Sequence, residues 1–148
     1  MFAKLSLTLL TLSTATLAQF PSNPFFIRNI QSGKILDVEG GSTEPGAGLI
    51  LWDRQGSNFG NQLWTYERGR LVSNSSGLFL ENVPPGTVLQ MNVRGNDLNQ
   101  AWAYNFQRLT PYDFSVSITG QDGNVESGSR VVVDRGNGDA QRWVFDEA

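Results

Sequence analysis

Four side chains within one short stretch have the chemistry to grip a sugar: Asp37, Trp52, Asn61 and Gln62. An ionised carboxylate such as Asp37 accepts hydrogen bonds from two neighbouring hydroxyls, and charged acceptors make the stronger bonds. A flat indole such as Trp52 offers its negatively polarised face to the C–H patch of a pyranose ring. Asn61 has one amide oxygen and two N–H donors, so it serves a hydroxyl in either sense. Gln62 is better suited to hold Asp37, or the fold, from behind. Each residue also has a plainer role available. Asp37 can close a turn, Trp52 can fill a core, and Asn61 can sit in a turn.

The elements that must position these groups are strands. The run Ile35-Leu36-Asp37-Val38 is followed by a Gly/Pro-rich turn, then Leu49-Ile50-Leu51-Trp52, then Asn61-Gln62-Leu63-Trp64. Side chains alternate across a strand, so Leu49 and Leu51 share one face and Ile50 and Trp52 the other. With the leucine face inward, Trp52 points outward beside Ile50. Elsewhere the chain is short apolar runs punctuated by Gly, Pro, Asn, Asp and Ser, and no long window keeps a helical period. This is the pattern of an all-β protein.

The chain repeats itself. Gln-x-Trp occurs at Gln62-Leu63-Trp64, Gln100-Ala101-Trp102 and Gln141-Arg142-Trp143, with the Trp residues 38 and 41 positions apart. An aromatic follows each Trp two residues later: Tyr66, Tyr104 and Phe145. Alternation places each such pair on one strand face, the core face. Upstream, Gly33, Gly77 and Gly120 are read as turns before a strand, and Gly46, Gly86 and Gly128 as turns before a second, apolar strand. The units run from about 25 to 67, 68 to 108 and 109 to 148. Three units of about 40 residues predict about twelve short strands, with threefold closure hiding the sheet edges.

Three Gln-x-Trp repeats, with Leu-Asp-Val before the first, resemble the ricin B-type lectin family, and more its small fungal members than the disulfide-bearing ones. The resemblance covers residues 19–148 and implies one β-trefoil domain. It also implies a galactose-type pocket wherever a repeat keeps an acidic residue, a stacking aromatic and an Asn-Gln pair. In the first unit Asp37, Trp52, Asn61 and Gln62 fill that pattern. In the second, Glu81 is placed opposite Asp37 and Asn92 opposite Trp52. Asn99-Gln100 is kept there, but the turn between the carboxylate and the next strand is four residues shorter and no aromatic faces the ligand, so weak binding or none is expected. In the third, Asn124 is placed opposite Asp37, Asp134 opposite Trp52 and Ala140 opposite Asn61. Gln141 and Trp143 persist as scaffold.

The totals narrow the function. Among 148 residues there is no Cys and no His. That removes disulfides, zinc sites of the usual kind and Ser-His-Asp or Cys-His nucleophiles. A glycosidase would need two carboxylates at a working distance, and nothing in the sequence positions Asp37 and Asp53 as acid and base. The expectation is a protein that is not an enzyme and needs no metal or cofactor. Residues 1–18 read as a secretory signal peptide: Lys4, an apolar run from Leu5 to Leu12, and small residues around Thr16-Leu17-Ala18. The run is too short to span a bilayer comfortably. The net charge is −3, and without Lys4 it is −4. An acidic chain without a basic cluster argues against nucleic acid and anionic membranes as partners. Asn74-Ser75-Ser76 is a glycosylation sequon.

The expected function is a secreted, extracellular lectin for galactose or N-acetylgalactosamine end groups, or for a plant polysaccharide such as xylan. One such pocket binds a monosaccharide with a dissociation constant on the order of 1 mM, or roughly −4 kcal/mol. Useful avidity then needs an extended ligand or a homodimer. The alternative is a β-trefoil protease inhibitor or other protein-binding module, which has no need for Asp37, Trp52 and Asn61 together.

Overall fold

The computed structural model describes residues 19–56, 59–112, 115–136 and 138–148. The proposed signal peptide lies outside them. Among the described residues twelve strands follow one another, in three sets of four. The first set is β1 (Phe25–Asn29), β2 (Ile35–Val38), β3 (Leu49–Trp52) and β4 (Trp64–Glu67). The second is β5 (Arg70–Ser73), β6 (Phe79–Glu81), β7 (Gln90–Asn92) and β8 (Trp102–Asn105). The third is β9 (Arg108–Pro111), β10 (Ser117–Gly120), β11 (Val131–Asp134) and β12 (Trp143–Glu147).

Each set repeats one hairpin register. Leu36 pairs with Leu51, Leu80 with Met91 and Ile118 with Val133, and all six side chains are buried. The triplet Trp residues are buried too, and each donates its indole N–H across the core. Trp64 reaches the carbonyl of Leu36 at 3.1 Å, Trp102 that of Leu80 at 2.9 Å, and Trp143 that of Ile118 at 3.0 Å. The triplet Gln residues likewise donate to the backbone at the end of the second hairpin strand, just past it at Asp53 and Val93 and at its last residue, Asp134. The Gln-x-Trp motif is therefore a clamp. Its Trp fills the core and its Gln ties down the loop that follows.

Three glycines close the ring between units. The N–H of Gly46 donates to Met91, that of Gly86 to Val133, and that of Gly128 to Leu51. Unit one thus holds unit two, two holds three, and three holds one. All three glycines have φ between 80° and 89°, a conformation that side chains with a Cβ rarely adopt.

The third unit departs from the expected alignment. Gly120 is not the turn before a strand but the last residue of β10. The register places Thr119, not Asn124, opposite Asp37, because Ile118 holds the place of Leu36. Gly120 must lack a side chain for a different reason: a Cβ there would lie 1.7 Å from the carbonyl oxygen of Asn124.

At the other end of the core, Tyr66 donates its hydroxyl to the carbonyl of Trp102, and Tyr104 donates to that of Trp143, both at 2.8 Å. Phe145, the third aromatic, has no hydroxyl. Phe20 packs among all three, with ring centroids 3.6 Å from Tyr66, 5.0 Å from Phe145 and 6.0 Å from Tyr104. The segment before β1 is thus a stopper for the open end. Phe20→Ala is expected to cost about 2–3 kcal/mol, because a partly buried ring and its aromatic contacts are lost. Thermal melting should show a fall of about 5–10 °C.

Candidate functional site

The outer face of the β2–β3 hairpin carries Ile35, Asp37, Ile50 and Trp52. Ile35 pairs with Trp52 and Asp37 with Ile50, while Leu36, Val38, Leu49 and Leu51 turn inward to the core. Trp52 is 38 % exposed, against none for its neighbour Leu51. The turn at Gly128 supports its ring, since a Cβ on that glycine would lie 3.6 Å from the indole edge.

Asp37 is only 4 % exposed. The side chain of Asn61 donates to its Oδ1 at 3.0 Å, and that of Gln62 to its Oδ2 at 2.7 Å. Gln62 is itself fixed on both sides. Its Nε2 also reaches the Asp53 carbonyl at 2.9 Å, and its Oε1 accepts the Gln55 N–H at 2.9 Å. Burial pushes the Asp37 carboxyl above the usual carboxylate range, and the bonds from Gln62 and Asn61 offset only part of that. A carboxylate has about four acceptor sites, and the described residues take two of them. The neighbours on the hairpin face, Ile50 and Trp52, have no donor aimed at it. Asp37 is a held, desolvated acceptor with spare capacity.

That capacity opens into a cavity of about 520 Å³, lined by Asp37, Trp52 and Asn61 among others. The volume falls within the range of small-ligand sites. The structure brings these three predicted residues to one cavity and sets Gln62 behind Asp37. The wall also holds residues the sequence reading passed over: Glu39, Gly40, Gly41, Gln55 and Phe59. Gly40 and Gly41 both have positive φ and turn the chain sharply after Asp37, which keeps the mouth free of side chains. Phe59 is 43 % exposed on the loop before Asn61 and supplies a second aromatic. An aromatic alone in a Gly/Asn/Ser loop was the available signal. Asp53 does not line this cavity; its carboxylate accepts from Lys34 and Ser127. Asp37 and Asp53 therefore do not face each other across the site as acid and base.

The second unit keeps the carboxylate but not the vacancy. Glu81 accepts from Gln90 at 2.8 Å, Asn92 at 3.2 Å and Gln100 at 3.0 Å. Gln90 and Asn92 stand where the first unit has Ile50 and Trp52. Burial raises the Glu81 carboxyl, yet the three amides together hold it below the usual range. Glu81 is already satisfied by its own hairpin. Glu81→Gln is expected to leave sugar affinity unchanged within about twofold, as for a distant, uncoupled site. Titration calorimetry with the best-binding sugar checks this.

In the third unit Thr119 replaces the carboxylate, and Ala140 stands in a 3₁₀ turn before the clamp residue Gln141. Of the charged stretch nearby, Asp134 caps the N–H of Arg135. Asn74, the sequon residue, is exposed in the turn between β5 and β6. Among the described residues no group of three or more acidic, Cys or His side chains is placed to hold a metal ion. Among them, too, no helix is long and apolar enough to cross a membrane.

Comparison with known proteins agrees with this architecture. The C-terminal half of an earthworm R-type lectin, solved with GalNAc, superposes with a TM-score of 0.76 at 21% identity, over 85% of this chain and 99% of that one. The designed threefold-symmetric protein ThreeFoil gives 0.75 at 24% identity, over 84% and 99%. The β-trefoil lectin of the Vibrio vulnificus hemolysin/cytolysin, solved with N-acetyl-D-lactosamine, gives 0.66 at 22% identity, over 83% and 93%. Mucoricin from Rhizopus delemar is 42% identical over 52 residues, which are 35% of this chain. The match also spans 35% of that curated relative's length, so about a third of it is covered. The ricin-type beta-trefoil lectin domain matches residues 23–143, and the chain belongs to that family.

Proposed function

We propose that this protein is a secreted, non-enzymatic lectin that binds a terminal galactose or N-acetylgalactosamine, or a plant polysaccharide such as xylan, in the first-unit cavity. Asp37 accepts two sugar hydroxyls, Asn61 bonds a third group, and Trp52 stacks on the ring. Gln62 holds Asp37 in place. The observation that carries this reading is Asp37 itself. A buried carboxylate that two amides satisfy among the described residues costs stability, and that cost is explained if hydroxyls complete its shell. The solved relatives that hold GalNAc and N-acetyl-D-lactosamine support the galactose class. The stage of secretion belongs to the same proposal: protein recovered from the medium should begin near Gln19.

The test is a glycan array on the purified protein beside Asp37→Ala and Trp52→Ala. Galactose-type or xylan binding that both variants lose while staying folded supports the proposal. Binding that survives both changes, or no binding at all, rejects it in favour of a protein-binding trefoil.

A further inference from the structure

We propose a second binding site, for the carboxylate or sulfate group of an acidic saccharide, in the niche formed by Arg68, Arg70, Phe79 and Arg94. This niche is separate from the Asp37 cavity. It has a volume of about 300 Å³, and its remaining lining residue is Glu67, which accepts the Thr65 hydroxyl at 3.4 Å.

The threefold register shows how unusual the niche is. In the first unit the same place is a small apolar core of Phe26, Ile35 and Leu63, with the Arg54 guanidinium laid 4.0 Å above the Phe26 ring. The equivalence follows from the turns. The Ser73 N–H donates to Leu78 just as the Asn29 N–H donates to Lys34, and Phe79 pairs with Asn92 as Ile35 pairs with Trp52. Arg70 therefore replaces Phe26, Ala101 replaces Leu63, and Arg94 stands where Arg54 does. A cation on a ring has become two cations lining one niche, with Arg68 added from the hairpin turn.

Three guanidinium groups against one carboxylate, Glu67, leave the niche with a net positive charge that attracts an anion. Among the described residues, the Arg70 Nε is buried with no hydrogen-bond partner. Arg108, at the same place in the third unit, donates instead to the Gly136 carbonyl at 2.8 Å and to Gln141 at 3.1 Å. Guanidinium forks match carboxylate and sulfate geometry. The Phe79 ring in the wall gives a sugar's C–H face a place to rest. The chain as a whole is acidic, which repels long polyanions and anionic membranes. A single anionic group on a small saccharide meets the local positive charge without that repulsion.

The experiment titrates the protein, by heteronuclear NMR, with galacturonic acid, galactose 6-sulfate, methyl β-galactoside and sodium sulfate. Shifts at Arg70 and Phe79 with the acidic sugars, persisting in Asp37→Ala and weakening with salt, are the expected result. Arg94→Glu and Arg68→Glu, both at exposed positions, should each weaken acidic-sugar binding by about tenfold or more. Neutral-sugar binding at the Asp37 cavity should be unchanged in both, which also shows that they are folded. The proposal is overturned if no acidic sugar shifts the niche, or if both charge reversals leave the affinity intact. Sodium sulfate binding as tightly as galactose 6-sulfate would overturn the saccharide assignment.

Discussion

Asp37→Ala is expected to abolish measurable sugar binding and leave the protein folded. The carboxylate offers two charge-assisted acceptor positions, and each such bond is worth about 1.5–3 kcal/mol. Losing both weakens an affinity of about 1 mM by at least a hundredfold, beyond what calorimetry can follow. The fold has little to lose. Gln62 keeps its bonds to the Asp53 carbonyl and the Gln55 N–H, and Asn61 lies where solvent reaches it. A buried charge disappears as well, so the melting temperature should stay within about 3 °C of the parent or rise. The pH dependence separates the two roles of this residue. Its folded-state pKa is raised, so the folded protein holds the proton more readily than the unfolded chain. The ionised carboxylate therefore costs stability above that raised value, and the cost disappears below the ordinary aspartate range. Sugar binding runs the other way. It needs the ionised form, so affinity should fade on acidification through the raised value, at a higher pH than an ordinary aspartate would give. Affinity, and the melting temperature of the parent relative to Asp37→Ala, measured from pH 7 to pH 3 check both signs, the reference variant cancelling the carboxylates whose pKa is lowered, such as Glu81 and Asp146. Affinity that is flat across that range would remove Asp37 from the site.

The scaffold and the site were not equally legible in the sequence. Gln-x-Trp could be read because the clamp needs both side chains at a fixed spacing: the Gln reaches a loop carbonyl, and the Trp reaches a strand carbonyl in the core. Gly46, Gly86 and Gly128 could be read because a positive φ at an inter-unit contact leaves few alternatives. The outward face of Trp52 followed from strand alternation alone. Cross-strand register was harder, because Gly120 looks like the turn glycine Gly33 but ends β10 instead. That is why Asn124 was set opposite Asp37 when Thr119 occupies the position. Register also hid part of the difference between the first two units. The missing aromatic already marks the second unit as the weaker one, but that Gln90 and Asn92 donate to Glu81 across the hairpin is seen only in the structure. Phe59 escaped for another reason: a loop has no period that assigns a side chain to a wall.

Trp143→Ala is expected to unfold most of the protein at physiological temperature, whereas Trp52→Ala should cost far less stability, leave the protein folded and remove sugar binding. The two residues share a side chain and differ in what surrounds it. Trp143 is fully buried in the main core cluster. Truncating a buried Trp costs about 3–5 kcal/mol through lost contacts and the cavity left behind. The Ile118 carbonyl would also lose its indole donor in the interior, at about 1–3 kcal/mol more. Natural domains hold only about 5–15 kcal/mol in total, so one substitution takes a large share. The effect should spread beyond the third unit, because β12 pairs with β1 along its whole length and Gly128 links this unit to Leu51 of the first. Trp52 stands on the rim, 38 % exposed, with one ring edge near Gly128 and Ile35 across the hairpin. Its loss forfeits the stacking surface, worth about 1 kcal/mol or more, and little packing. Chemical denaturation of both variants beside the parent decides the matter. A Trp143→Ala protein that unfolds at nearly the parent's midpoint would mean that the three-unit ring does not depend on its Trp clamps.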